Sequence, residues 1–416
     1  MDFSNHHALG IVKQTCFCSR LASDWVSPFS IFNFQFNTMK TYTEINHKIK
    51  SGKAVILTAE EVSELAKTLS PKEIAEKVDV VTTATFGAMC SSGAFLNFGH
   101  ANPPIRMEKI ELNGIRVCGG LAAVDTYVGA TDCNPENPTY GGANIIEELI
   151  AGKEIELEAW GKGTDCYPRK HIKTRVSLES INEAYLYNPR NAYQNYNVAT
   201  NSTDQIKYTY MGTLLPRLRN ASYSTAGELS PLLNDPECRT IGLGTRIFLC
   251  GAEGYVAWNG TQFHSTKPTN EFGIPTSNTR TLAVIGDMKK MSTEFLRGVY
   301  YEKYGNSLFV GIGIPIPILD EDLARRVSIR NEQIETTIID YGDGNKVLGK
   351  TNYAALQSGE IEINGQKVRT APVASLSKAR EIAAILKSWI QKGDFLLSEP
   401  VRPMPTGTSL KGLEEK

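Results

Sequence analysis

No Cys-x-x-Cys pair occurs anywhere in the 416 residues, and the net charge is only −1. The eight cysteines stand at 16, 18, 90, 118, 133, 166, 238 and 250. Only the first two are close, at a spacing too tight for the usual ligand pairs. This excludes a zinc ribbon or an iron–sulfur cluster of standard spacing carried by the chain itself, and no metal site is expected. A balance of 44 basic and 45 acidic residues excludes an electrostatic grip on nucleic acid or an acidic membrane. The longest apolar run, Leu308 to Leu319, is short of membrane-spanning length and holds Pro315 and Pro317, so no membrane segment is expected. No basic stretch leading into an apolar run opens the chain, so a secretory signal is not read there, and a disulfide scaffold is not expected. These absences together describe a reducing, cytoplasmic compartment.

What is there is ordinary globular material, 41% hydrophobic and 21% charged. Residues 1–38 carry scattered aromatics without a period and read as a poorly ordered extension, with Met39 as the more natural start. The main domain runs over 39–398, with a smaller C-terminal subdomain at 340–398, and 399–416 reads as a tail with prolines and a Lys/Glu end. The expected class is α/β, with mixed or mostly parallel sheets, flanking helices and β-hairpin insertions.

Local signals support that class. Thr58 with Glu61 forms a capping box opening a helix, and Ser70-Pro71 opens another. Asn113-Gly114 and Asn364-Gly365 sit between alternating flanks and predict hairpins; Asn259-Gly260 is a third such turn. A helix is expected over 143–151, a strand over 154–160 and a strong helix over 375–392. Residues 281–312 read as strand, helix (292–304) and strand, a β-α-β succession that points to parallel pairing. Gly242-x-Gly244 lacks the third glycine and the downstream acid of a dinucleotide fingerprint.

Two stretches carry candidate chemistry. In Trp160 to Thr174, Cys166 is followed by Arg169, Lys170, His171 and Lys173 and preceded by Lys162, and nearby cations favour the reactive thiolate. Asp165 opposes that trend. The second stretch follows the strand near Val78–Thr82: the Cys90-Ser91-Ser92-Gly93 run and its small neighbours let a backbone approach a ligand and offer N–H groups to an anion. A buried structural cysteine is the bland reading of each. The segment 188–230, where tyrosines interleave with amides, reads as a polar substrate pocket rather than a nucleic-acid surface, because its basic residues are few.

The strings Val81-Thr-Thr-Ala-Thr-Phe-Gly-Ala-Met-Cys90-Ser-Ser-Gly, Gly119-Gly-Leu-Ala-Ala-Val-Asp125, Gly163-Thr-Asp-Cys166-Tyr-Pro-Arg-Lys and Asn188-Pro-Arg-Asn-Ala-Tyr-Gln resemble the homocysteine biosynthesis family of methanogens and other anaerobes, domain of unknown function 39. The likeness runs from about Met39 to the Glu399-Pro400-Val401 region. It implies an L-aspartate semialdehyde sulfurtransferase making homocysteine, with Cys166 carrying sulfur as a persulfide and Cys90 resolving or regenerating it. It also implies a sulfide or persulfide donor and a small ferredoxin-type iron–sulfur protein as partner; no bound cofactor is expected, and the reductant is external. An amino-acid substrate needs a cation for its carboxylate and an acceptor for its ammonium. Arg169 and Asp165 are the local candidates, Arg190 and Arg246 the more distant ones. Ser91 and Ser92 lie in the cysteine string, and His100 and His171 are candidates for moving the proton. Two alternatives remain: a cysteine-dependent aldehyde- or acyl-processing enzyme without sulfur transfer, and a sulfur-trafficking or iron–sulfur scaffold. Oligomeric state is left open, a homo-oligomer included.

Overall fold

Thr41, Thr58 and Ser70 each cap a helix, Tyr42–Lys50, Ala59–Leu65 and Pro71–Lys77. In each the hydroxyl accepts from the amide three residues on, and Glu44, Glu61 or Glu73 reaches back to the capping amide. The box read from sequence at Thr58 is therefore present, the helix expected at Ser70-Pro71 opens with a box as well, and a third precedes both at Thr41. The computed structural model describes residues 39–415, which lie in one compact unit. The extension expected over residues 1–38, with Cys16 and Cys18, lies outside the described residues. No helix among the described residues is long and apolar enough to cross a membrane.

The main sheet has ten strands. Across it run Ile56–Thr58, Val80–Ala88, Gly305–Pro317, Arg246–Leu249, Ala252–Asn259, Leu282–Asp287, Glu183–Asn191, Gly93–Asn97 and Asp125–Gly129, and Leu296–Tyr301 pairs with Gly305–Pro317. Val80–Ala88 and Gly93–Asn97 are consecutive in sequence but six strand positions apart in this order. Six spacings in a flat sheet would be about 29 Å. The five residue steps from Ala88 to Gly93 reach at most about 18 Å. The sheet must therefore curl, and the turn at residues 89–92 bridges the curl; Cys90 sits on that bridge.

The sheets are mixed. Ile56–Thr58 with Val80–Ala88, Val198–Thr200 with Glu335–Asp340, and Asn220–Tyr223 with Gln366–Pro372 pair in parallel, and the other named pairs are antiparallel. The β-α-β reading of 281–312 is corrected. Residues 296–301 form a strand in an antiparallel hairpin with Gly305–Pro317. The reason is local: Val299, Tyr300 and Tyr301 favour a pleated surface. Gly298 also lets the helix Gly142–Ile150 lie directly on the strand, since a Cβ there would meet the Ala143 backbone at 3.1 Å.

A six-stranded sheet joins Val198–Thr200 and Asn220–Tyr223 to strands from 335–372, so the hairpin at Asn364-Gly365 shares its sheet with the middle of the chain. Helix Leu376–Lys392 instead buries Ala379, Ile382, Ala383, Leu386 and Ile390 against the main sheet. Beyond Glu399, Arg402–Pro403 pairs with Gly242–Leu243. A four-stranded sheet, Ile115–Val117, Lys109–Leu112, Ile155–Trp160 and His171–Val176, carries the Cys166 loop. Its first hairpin turns at Asn113-Gly114, both at positive φ, as expected. Asn259-Gly260 makes no hairpin; Asn259 ends its strand and a long loop follows to residue 281.

Candidate active site

The bridge at 89–92 is held from both sides. The Met89 amide donates to the Leu308 carbonyl at 2.8 Å, and the Ser92 amide closes the turn onto the Met89 carbonyl at 3.0 Å. Asn188, fully buried on the neighbouring strand, donates to Ser92 Oγ at 2.8 Å and accepts from Ser91 Oγ at 3.2 Å and from the Arg190 amide at 2.9 Å. Gly93 is required where the strand resumes, because a Cβ there would lie 2.2 Å from the Tyr127 phenol oxygen and 2.6 Å from the Val128 carbonyl. A buried polar network satisfied in this way fixes one geometry.

Cys90 faces a cavity of about 340 Å³. Ser307 Oγ donates to its sulfur at 3.4 Å and Tyr304 Oη at 3.6 Å, both from the hairpin that sequence reading had taken for a helix and strand. Both hydroxyls hydrogen-bond the sulfur and stabilise it where it meets the cavity. The cavity wall is aromatic, with Tyr193, Tyr196, Tyr210 and Tyr304. Tyr196 donates to Tyr210 at 2.9 Å, and Tyr210 shares a hydrogen with Tyr341 at 2.9 Å. Burial pushes Tyr193 up to about 12. Tyr196 is raised by burial and its neighbouring phenols, and Tyr304 by burial and by its hydrogen bond to Cys90. All three remain protonated donors near neutral pH.

Among the described residues, Arg190 is the one charged side chain lining this cavity. Its guanidinium is bonded to Gln262, and its Nε is buried without a hydrogen-bond partner among the described residues. Thr85, Ser224, Thr225 and Ser230 add neutral hydroxyls or their backbones to the lining. An oxygen-rich, singly cationic cleft with one sulfur suits a small polar substrate bearing a carboxylate.

Of the residues named from sequence, the structure brings Cys90, Ser91 and Arg190 to the cavity lining, and Ser92 stands behind them on Asn188. Cys166 is elsewhere. It lies at the exposed tip of a tight turn, with Thr164 and Tyr167 bonded backbone to backbone at 2.9 and 3.1 Å and Asp165 exposed beside it. His100 stacks on Tyr167 with ring centroids 6.0 Å apart, and Arg169 donates to the carbonyls of Asn102 at 2.8 Å and Pro103 at 2.9 Å. His100 follows the far end of strand Gly93–Asn97, whose near end follows Cys90. About 13 Å of extended strand thus lies between the two clusters. The two sulfurs do not share the cavity.

Three of the other cations around Cys166 are also engaged. His171 meets Glu158 at 2.9 Å, Lys173 meets Glu156 at 2.8 Å and Glu158 at 3.2 Å, and Lys162 lies 3.7 Å from Glu108. Arg246 is paired with Glu253 on the adjacent strand. Cys238 and Cys250 are buried core thiols; burial raises both, Cys250 to about 12. Cys118 and Cys133 are exposed.

Sequence reasoning missed Tyr304, Ser307 and Gln262. The tyrosine–amide richness of 188–230 was the available signal for Tyr193, Tyr196 and Tyr210.

Residues 54–397 match the model of a family described as homocysteine biosynthesis enzyme, sulfur-incorporation. An L-aspartate semialdehyde sulfurtransferase of Methanosarcina acetivorans is 48% identical over 380 residues, covering 90% of this chain and 74% of that protein. One of the same name from Methanocaldococcus jannaschii is 50% identical over 383 residues, 87% of this chain and 73% of that protein. An uncharacterized protein of Methanothermobacter thermautotrophicus is 27% identical over 336 residues, 78% of this chain and 74% of its own length. No solved structure matches the chain. With that match spanning the Cys90 bridge, the curled sheet and the Cys166 turn alike, the chain belongs to the sulfur-incorporating family of homocysteine biosynthesis enzymes.

Proposed function

We propose that this protein converts L-aspartate semialdehyde to L-homocysteine, and that Cys90 is the cysteine whose persulfide meets the aldehyde. The observation that carries the assignment is the placement of Cys90 in the cavity beside Ser307, Tyr304 and Arg190. The Arg190 guanidinium pairs with the substrate carboxylate. Neutral hydroxyls and tyrosine faces receive its ammonium.

The terminal sulfur of the Cys90 persulfide attacks the aldehyde carbon, forming a C–S bond while the carbonyl oxygen takes a proton to become a hydroxyl. Tyr304, protonated and within reach of the sulfur, is the donor placed for that step. Two electrons from outside break the S–S bond, returning Cys90 to a thiol and releasing the hydroxythiol. Loss of water gives the thioaldehyde, and two further electrons with two protons give the thiol product. The electrons are external, and a ferredoxin-type iron–sulfur protein is the partner we assign to deliver them. Cys166, exposed on its turn, is an exchange point for thiols or sulfur from outside rather than a second group in the cavity. The setting is cytoplasmic.

Polysulfide labelled in its sulfane sulfur, the aldehyde and a chemical reductant test the reading. Label enters homocysteine with the intact protein and not with Cys90→Ser. Conversion of the aldehyde without label in the product overturns it.

A further inference from the structure

A second cavity, of about 240 Å³, lies among the helix Glu321–Arg326, the segment after it, the turn before Pro71 and the loop at 271–274. It contains no cysteine and takes no part in the chemistry above. Its charges are arranged unusually. Arg325, Arg326 and Arg330 line it, and so does Glu271. Arg325 is paired with Asp322, and Arg326 with Glu237 at 2.8 Å. Arg330 and Glu271 make no ion pair with any described residue, nor with each other. Arg326 is largely buried, and its Nε faces the Asp322 carboxylate at 3.6 Å without a hydrogen bond. The loop backbone lies against its guanidinium, since a Cβ at Gly273 would sit 2.8 Å from Nη1. Between these charges the wall is apolar, with Leu69, Phe272, Ile274 and Ile329.

Two unpartnered side chains of opposite sign facing one small cavity, with apolar surface between them, form a complement to a zwitterion with a hydrophobic tail. A carboxylate is held by Arg330, an ammonium by Glu271, and an apolar side chain by the Phe272 and Ile274 surface. A simple inorganic anion would use the arginines and leave both Glu271 and the apolar wall without a function. We infer that this cavity binds an L-α-amino acid with an apolar side chain of about methionine's size, at a site separate from Cys90. The loop from 260 to 281 walls both cavities, with Gln262 bonded to Arg190 at one and Phe272 at the other.

The test is calorimetric titration of the full chain with L-methionine, D-methionine and inorganic phosphate. L-Methionine is expected to bind saturably at one site per chain. Arg330→Ala and Glu271→Gln are each expected to weaken it by about tenfold or more, the loss of one charge-assisted contact. Both positions are at the surface of the cavity, and circular dichroism checks that the variants fold. Cys90→Ser and Arg190→Ala leave this binding unchanged, so it is read independently of the sulfur-transfer assignment. The inference is overturned by absence of saturable L-methionine binding, by binding that neither cavity variant moves, by binding lost in Arg190→Ala, or by phosphate alone binding with the Arg330 dependence.

Discussion

Removing the two donors to the Cys90 sulfur should slow its reaction with electrophiles without touching the other exposed thiols. Ser307→Ala and Tyr304→Phe delete the hydroxyls at 3.4 and 3.6 Å while keeping the backbone and the aromatic ring. A hydrogen bond to a charged partner is worth about 1.5–3 kcal/mol. At these distances the lower end applies, roughly 1.5 kcal/mol each, and about 1.4 kcal/mol is tenfold in rate or population. The two donors share one acceptor and compensate for each other, so each single variant should lower the rate of Cys90 alkylation by iodoacetamide at neutral pH by less than about tenfold, and the double variant by more than the product of the two single effects. Peptide mass mapping reads Cys90 and Cys166 in the same sample, and Cys166, exposed and far from both hydroxyls, is the internal control. An unchanged Cys90 rate in the double variant, with Cys166 also unchanged, would refute the claim that these hydroxyls stabilise the reactive sulfur.

Arg190→Ala should raise KM for the aldehyde by about tenfold or more with a smaller effect on kcat, because it removes the carboxylate partner from ground and transition states alike; steady-state kinetics check this, and an unchanged KM removes Arg190 from the site. Asp79 offers a stability test. It accepts from Lys48 Nζ at 2.7 Å, Lys40 Nζ at 2.9 Å and the Val55 amide at 3.0 Å. Burial pushes its carboxyl up, but these hydrogen bonds outweigh burial and hold it below the ordinary carboxylate range. A lowered folded value means that the contribution is present above the unfolded value, about 3.9, and is lost as pH falls through the folded one. Asp79→Ala should cost about 2 kcal/mol in denaturant unfolding at neutral pH, discounted from a fully buried pair because Lys48 is half exposed. The difference from the unmodified protein should shrink on acidification, and a constant difference down to strongly acid pH would contradict the assignment.

Local signals were legible where a few adjacent residues determine geometry. The capping box at Thr58, the helix start at Ser70-Pro71 and the Asn-Gly turns at 113 and 364 required no tertiary information, and the small residues around Cys90 marked the close approach that Asn188 and Tyr127 make there. What sequence could not show is the curl of the sheet. It brings residues near 90, 190, 210, 262 and 304 to one cavity, and no period encodes that meeting. Tyr304 and Ser307 were hidden a second way, because 292–304 has enough helix-compatible residues to mask the alternation of Val299 to Tyr301. Cations around Cys166 are drawn to carboxylate partners for a reason that was readable. Glu156 and Glu158 alternate on the strand before it, with Glu154 just ahead, and the register sets Glu156 opposite Arg175 and Glu158 opposite Lys173, so that these glutamates ion-pair with Arg175, Lys173 and His171.

The central claim is that Cys90 holds the sulfur. Treatment with a polysulfide, whose sulfane sulfur passes to a thiol by exchange without an added oxidant, followed by intact-mass analysis and peptide mapping of the intact protein, Cys90→Ser and Cys166→Ser tests it directly. The account predicts one added sulfur on Cys90, retained in Cys166→Ser and absent from that peptide's serine counterpart in Cys90→Ser. An added sulfur found on Cys166, with Cys90 unmodified in every sample, would contradict it.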